Sequence, residues 1–421
     1  MGIRDAVVIE LDSAPSSLEV PTSGDYLERA VVSALFRPAL RLVSASRESD
    51  YFEFVVERGQ HFSDGSAVHP RDVLRTLVAS ARSSWARQLA YLEKTQIVGD
   101  RLCLSLRRPA RFYPAMLRTV DFAPTHPDGG LGNGPYRIGA EFDAEAGYYQ
   151  LTPNTHVNCS DERPELVFRL QTNVHGAPDR FLRGESDITC NTAFPLDRLD
   201  EWRGSGAFHQ APTGIYMQVE PNTSGEGPLA DPALRRALLG CLDLAAIAAS
   251  FPGGLRPAAV PAQPPEPDVH IPSQLRISYH DFYPNRLVLE KLGVQWQQRL
   301  GIRTEFVERD YSDWDADWDH DNADGSFVLR YLPFDHPYAY FDQCATLLAE
   351  EGFDRLVQSF AAGAEEAVVA MNHQVQSALP MIRVFEVIGN WLASPRVAGF
   401  SWPTDAVFDF SMLRCADRCG R

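Results

Sequence analysis

Lysine is nearly missing from this chain. Of 421 residues only Lys94 and Lys291 are lysines, and the other basic residues are arginines. Positive charge is short overall, with 39 Lys plus Arg against 56 Asp plus Glu and a net charge of −17. Such an acidic chain repels phosphate backbones and anionic lipid heads, so no nucleic-acid partner is expected. Long apolar runs are missing too. The most apolar stretch, Ala237 to Ala249, carries Asp243 and falls short of the ~18 apolar residues a span needs, so no membrane insertion is expected. Met1-Gly-Ile-Arg-Asp5 runs straight into a strand-like stretch without the pattern of a leader. The 7 cysteines, Cys103, Cys159, Cys190, Cys241, Cys344, Cys415 and Cys419, are odd in number and lack framework spacing. Both features suit a cytoplasmic setting; an extracytoplasmic one is expected where a leader has been removed.

Catalytic signatures are absent as well. The 11 histidines are isolated, with no His-Glu-x-x-His. There is no phosphate-loop Gly-Lys-Ser/Thr and no dinucleotide fingerprint. Gly204-Ser-Gly206 lacks the preceding strand and the Gly spacing of a nucleophile elbow. The expectation is a protein without catalytic residues, cofactor or metal.

What is present is ordinary globular material: 44% apolar and 23% charged residues, enough to argue against disorder. The length suits two or three domains, or one large two-lobed unit. Strand-like runs are Val7–Leu11, Phe52–Val56, Leu102–Leu106, Leu166–Leu170, Tyr216–Val219, Leu275–Tyr279, Thr304–Val307 and Phe327–Tyr331. Helix starts are signalled at Pro70 and at Asp231-Pro232, a cap followed by proline. Leu289, Leu292, Trp296 and Leu300 mark a helix stopped by Gly301, and Val368, Met371, Val375 and Leu379 another stopped by Pro380. Strands alternating with helices indicate an α/β or mixed protein. Pro257 to Ser273 holds six prolines and cannot be helix or central strand, so a lobe crossing is placed there.

One stretch carries a resemblance. Phe52-Glu-Phe-Val-Val-Glu-Arg-Gly59, then Phe62-Ser-Asp64-Gly65 and Asp72-Val73, resembles the signature of family 5 solute-binding proteins. These are the dipeptide-, oligopeptide- and nickel-binding receptors of ABC importers. Further landmarks follow in the family's order: Gly132-Asn-Gly-Pro-Tyr136, Phe181-Leu-Arg-Gly184 to Ile188, Asp231 to Asp243, Leu300-Gly-Ile302 and Ala378-Leu-Pro380 to Phe385. The segment between Leu42 and Tyr51 is shorter than is usual there, and Arg383 stands where the closing motif usually has proline.

The resemblance implies an α/β, two-lobed periplasmic-binding-protein-like fold (type II, cluster C-like) with a hinge and a ligand cleft. Lobe I is expected over 1–256 plus 390–421, with a trimmed accessory subdomain around 43–160. The crossing is 257–273 and lobe II is 274–389. The implied function is capture of a small peptide-like or amino-acid-like solute for an importer. The alternatives are a leaderless sensor or carrier, or an enzyme of a specialised pathway. A monomer is expected, with a permease as partner if the chain is exported.

Ligands of open α/β lobes sit beyond the carboxyl ends of strands. That rule nominates Asp12 and Ser13 in lobe I, and Tyr279, His280, Arg330, Tyr331 and Asp335 in lobe II. The family's peptide receptors hold the ligand amine with an Asp in this last region, and Asp335 is the nearest acid. Arg383, charged within an apolar stretch, is expected to face the cleft and pair with an acidic ligand group or side chain. The acidic run Asp310 to Asp324 is read as a solvated loop, and Cys415-x-x-x-Cys419 as a tail without the second ligand pair a metal needs.

Overall fold

The computed structural model describes residues 6–15, 17–20, 25–143, 147–157, 163–171, 173–222, 227–258, 269–309, 323–404 and 407–416. In chain order the elements are β1 (Ala6–Leu11), α1 (Tyr26–Leu35), β2 (Leu40–Ala45), β3 (Tyr51–Val56), α2 (Pro70–Ser80), α3 (Ala86–Leu89), β4 (Leu92–Val98), β5 (Arg101–Leu106) and α4 (Tyr113–Met116). There follow β6 (Tyr136–Asp143), β7 (Tyr148–Pro153), β8 (Glu165–Leu170), α5 (Ala177–Leu182), β9 (Phe208–Pro221), α6 (Pro232–Gly240), α7 (Leu244–Ala249) and β10 (Leu255–Pro257). Next come β11 (Gln274–His280), α8 (Asn285–Leu300), β12 (Arg303–Arg309), β13 (Gly325–Arg330), α9 (Pro337–Leu348), α10 (Glu351–Ala361), α11 (Ala367–Ala378) and β14 (Ile382–Leu392), then the two-residue strands β15 (Val397–Ala398) and β16 (Arg414–Cys415).

Local chemistry explains where these elements begin and end. The Asp25 carboxylate caps α1 by accepting from the backbone N–H of Leu27. Pro70 opens α2, and the Asp72 carboxylate turns back to accept the His69 N–H at 2.8 Å. Asp231 caps α6, and Gly301 ends α8 in the left-handed conformation at φ 73°. Gly132 and Gly134 pass so close to the Leu35 carbonyl that a Cβ on either would collide with it.

Among the described residues three larger sheets organise the protein, beside a two-stranded pairing of Val397–Ala398 with Arg414–Cys415. The order β1-β8-β7-β6 forms one, with β1 parallel to β8. The order β2-β3-β5-β4 forms an antiparallel accessory sheet. The order β10-β14-β9-β13-β11-β12 forms the third. The accessory subdomain expected over 43–160 is therefore smaller. Its sheet ends at Leu106, whereas β6 and β7 pair onward to β8 and belong with β1. Alternation on β7 buries Tyr149 and Leu151 against the same core as β1, which holds the hairpin there.

The long β9–β14 ribbon runs from one sheet environment to the other. Its lower half pairs Phe208 with Leu392, and its upper half pairs Val219 with Ile382. Between them the register slips between Glu386 and Ile388, opposite Thr213 and Gly214, the latter at φ 70°. The C-terminal segment returns to the first sheet: Phe410 packs edge-on to Phe168, Trp402 Nε1 donates to the Thr189 carbonyl, and Arg396 pairs with Asp187.

One apolar core spreads from β1, α1 and β8 through β9 and β14 to α6, α8 and β11. A second joins the accessory sheet to α9, α10 and α11. No helix among the described residues is long and apolar enough to cross a membrane. The proline-rich crossing falls largely, and the acidic run almost wholly, outside the described residues. Of the latter Asp324 is placed, accepting the Arg276 N–H at 2.7 Å.

Candidate interlobe binding site

The carboxyl end of β1 delivers Asp12 and Ser13 to the edge of its sheet. Asp12 Oδ2 accepts from Thr192 Oγ1 at 3.0 Å, and Oδ1 from Ser13 Oγ at 3.2 Å. Among the described residues no Arg, Lys or His reaches within ion-pair distance of this carboxylate. Burial, with the Asp25 carboxylate as a second cause, pushes Asp12 from 3.8 up to about 6. The next turn, 190–192, adds the buried Cys190 thiol and Asn191. Asn191 Nδ2 donates to the Tyr26 hydroxyl at 3.2 Å, while its Oδ1 has no partner.

The carboxyl end of β13 faces this edge. Tyr331 lies edge-on to Tyr26 with centroids 6.2 Å apart, and the Arg29 guanidinium stands 5.2 Å from the Tyr331 ring. Arg29 Nη1 also donates to the Pro333 carbonyl at 3.3 Å. Beside the hinge ribbon, the Leu196 N–H donates to the Tyr283 hydroxyl at 3.2 Å. Asn191, Thr192, Tyr283 and Pro284 share a cavity of about 10 Å³ there, room for roughly one water.

The nominated residues divide. The Asp25 charge acts on both Asp12 and Tyr331, and Ser13 lies beside Asp12. Tyr279 and His280 turn along their own sheet: the Tyr279 hydroxyl donates to Glu308 at 3.1 Å, and His280 Nδ1 lies 3.1 Å from the Arg309 carbonyl. Arg330 forms a two-pronged pair with Glu220, both contacts at 2.8 Å. Asp335 is exposed ahead of α9.

Of the two kinds of partner expected for Arg383, an acidic ligand group or an acidic side chain, no acidic side chain pairs with it among the described residues. Its guanidinium stacks over Tyr216 at 4.1 Å and Tyr340 at 5.1 Å, and Nε donates to Gln218 Oε1 at 3.2 Å. The reason is the register. Gln218 lies opposite Arg383 on β9, and the acid two residues along, Glu220, is already held by Arg330 and by Gln218 Nε2 at 2.8 Å. Aromatic faces supply the remaining negative potential.

Tyr26, Arg29, Asn191, Thr192 and Tyr283 were not nominated from sequence. Asp25, as a cap, marks the start of the helix bearing the first two, but nothing local shows that its first turn faces another lobe.

The folded chain binds the Asp12 proton more tightly than the unfolded chain, so the group costs stability as pH rises through about 6. Asp12→Asn is expected to raise stability near pH 7.5 by about 2 kcal/mol and leave it unchanged near pH 4. Urea titrations at the two pH values measure this, and an equal effect at both would contradict it.

The architecture defines a class: the two-lobed fold of periplasmic solute-binding proteins. The Escherichia coli murein tripeptide binding protein MppA superposes with a TM-score of 0.85 at 15% identity, covering 97% of this chain and 98% of that one. The protein AgaA in complex with agropinic acid, from A. tumefaciens R10, gives 0.81 at 15% identity, covering 97% and 98%. The unliganded open form of MppA gives a lower 0.68 at 15% identity, with 98% of both chains covered. No family model matches the chain, and no curated protein matches it in sequence.

Proposed function

We propose that the chain is a solute-binding protein that captures a small peptide-like or amino-acid-like ligand between its lobes. The observation that carries this reading is the state of the cleft. The chain superposes far better on one MppA structure than on the open form of the same protein, at equal identity. Strand ends bearing Asp12 and Tyr331 face each other across the closure. The hinge is assigned to the slip in the β9–β14 ribbon, where Gly214 and the offset between Glu386 and Ile388 let two strands bend together. Lobe I takes the β1 and accessory sheets with the C-terminal segment, and lobe II takes β11–β13 with α8–α11. The reduced accessory subdomain and the tight cleft favour a ligand smaller than an oligopeptide. AgaA, with its agropinic acid, is a neighbour of that kind.

The partner on this reading is an importer permease if the chain is exported. Among the described residues Cys103, Cys190, Cys241, Cys344 and Cys415 are free, which suits a sensor or carrier in a reducing compartment. A thermal-shift screen of dipeptides, tripeptides, opines and amino acids, followed by small-angle scattering, tests capture. A hit should raise the melting temperature and shrink the radius of gyration. A screen without stabilising ligands, or a hit that leaves the radius unchanged, would count against it.

A further inference from the structure

A second cavity, of about 200 Å³, opens between the accessory subdomain and helices α9 and α10. It shares no lining residue with the small cavity at Asn191 and Tyr283. One water needs only about 10–15 Å³ of such space, so this cavity admits a molecule of several heavy atoms.

Its polar groups are unevenly engaged. Arg87, from α3, is spent on acids: Nε donates to Asp342 at 2.8 Å and Nη2 to Asp354. Arg108, just past β5, is half-buried and lies over the Tyr91 ring at 4.0 Å. Among the described residues it makes no hydrogen bond or ion pair. The adjacent Arg107 is exposed, and its Nε donates to the Leu92 carbonyl at 3.2 Å. On the facing helix the Gln358 amide also lines the cavity without a hydrogen bond among the described residues. Stacking on Tyr91 holds the Arg108 fork in place but uses none of its N–H donors. The walls beside these two groups are apolar or aromatic, with Tyr91, Tyr338 and Val357 all buried. Burial pushes the Tyr91 phenol up, so it adds no charge.

We infer that this cavity is a second ligand site, taking a small monocarboxylate with an apolar or aromatic body. The carboxylate sits on the Arg108 fork, whose planar donors match its two oxygens. The Gln358 amide N–H gives a further donor, and the body packs on Tyr338 and Val357. The formal charges of Arg87, Arg108, Asp342 and Asp354 cancel. A doubly charged phosphate would therefore set excess negative charge against Asp354, where a single carboxylate adds less. Walls from α3 and the end of β5 on one side, and from α9 and α10 on the other, mean that an occupant braces the accessory subdomain against those helices. This site is independent of solute capture between the lobes.

Benzoate is the probe, with benzamide as the control of similar shape and no charge. Calorimetric titration of the full chain near pH 7.5 should show benzoate binding about tenfold or more tightly than benzamide, the scale of a charge-assisted hydrogen bond. Arg108→Gln should erase that preference, and Arg107→Gln should keep it. Ala90, exposed where it lines the cavity, gives a variant that keeps every charge. Ala90→Trp fills the space and should weaken benzoate binding, and it decides the matter if Arg108→Gln fails to fold. Equal binding of the two probes by wild type, a preference that survives Arg108→Gln, or benzoate binding untouched by Ala90→Trp overturns the inference. A preference lost in Arg383→Gln but kept in Arg108→Gln would place the carboxylate at Arg383 and overturn it too.

Discussion

Asp121→Ala should destabilise the protein by about 3–5 kcal/mol, the cost of breaking a buried ion pair from one side. Arg29 and Asp121 are 3% and 1% exposed and are paired directly. Arg29 has little else to fall back on. Its Nε has no acceptor, Nη1 reaches the Pro333 carbonyl at 3.3 Å, and the Tyr331 ring supplies a weaker partner. Removing the carboxylate leaves a guanidinium in a site sealed by α1, the 120–122 turn and the end of β13. The double change Arg29→Met with Asp121→Leu removes both charges and should recover most of the loss, because burying an ion pair already carries a desolvation cost. Urea unfolding of wild type, both single variants and the double variant closes the cycle. Additive losses would mean that the two charges do not depend on each other. Arg29 also joins α1 to the end of β13 through Pro333 and Tyr331, so if these lie in different lobes Arg29→Met should ease opening even where Asp121→Leu restores stability. Scattering of the ligand-free double variant should then show a larger radius than wild type.

Much of this fold is legible in sequence where backbone chemistry is local. The Asp231-Pro232 cap, Pro70 at a helix start and Gly301 in the left-handed conformation each announce an element within a few residues. Gly132 and Gly134 announce a close approach, though their partner, Leu35, lies a hundred residues away in the chain. Strands are harder where they do not alternate. On β2 only Leu40 is buried, with the other five positions exposed, so the apolar pattern that marks a strand is missing. On β14 Arg383, Glu386 and Asn390 interrupt the apolar run, and their partners sit on β9, β10 and the 253 turn. No local rule shows that these charges are satisfied.

The site was legible to the same depth. The rule that ligands gather at strand ends needs only the direction of each strand, and it leads to Asp12 and Tyr331, which both lie within reach of the Asp25 charge. For Tyr279 and Arg330, whose strands end in the same layer, it says nothing of the neighbouring strands. Their side chains meet acids on neighbouring strands, Glu308 and Glu220, before they meet the cleft. Arg383 shows the limit most clearly. A charge in an apolar strand must be compensated, but a glutamine and two tyrosine faces serve as well as the acid a sequence reader expects.

Tyr338→Ala is the other large effect, again about 3–5 kcal/mol, the range for emptying a buried aromatic site. Tyr338 is 1% exposed and stacks on Phe112 with ring centroids 3.7 Å apart and planes at 9°. The two rings come from opposite sides of the second core: Phe112 from the accessory subdomain, Tyr338 from α9. The hydroxyl donates to Asp342 Oδ1 at 3.0 Å, and Asp342 also accepts from Arg87 Nε at 2.8 Å and Gln88 Nε2 at 2.6 Å. One truncation thus opens the aromatic stack and removes a donor from the carboxylate that ties α3 to α9. Tyr338→Phe separates these effects. It keeps the stack and leaves Asp342 with two donors, so it should cost only about 1 kcal/mol. Unfolding titrations rank the variants, and equal losses would place the energy in the hydroxyl network rather than in the stack. The contact also bears on motion. If Phe112 against Tyr338 holds the accessory subdomain to lobe II, Tyr338→Ala should enlarge the ligand-free radius of gyration and lower affinity for a captured solute, since more of the population must be closed at the ligand's expense. An unchanged radius with lowered stability would make this core a brace within each conformation and leave closure to the Arg29 contacts.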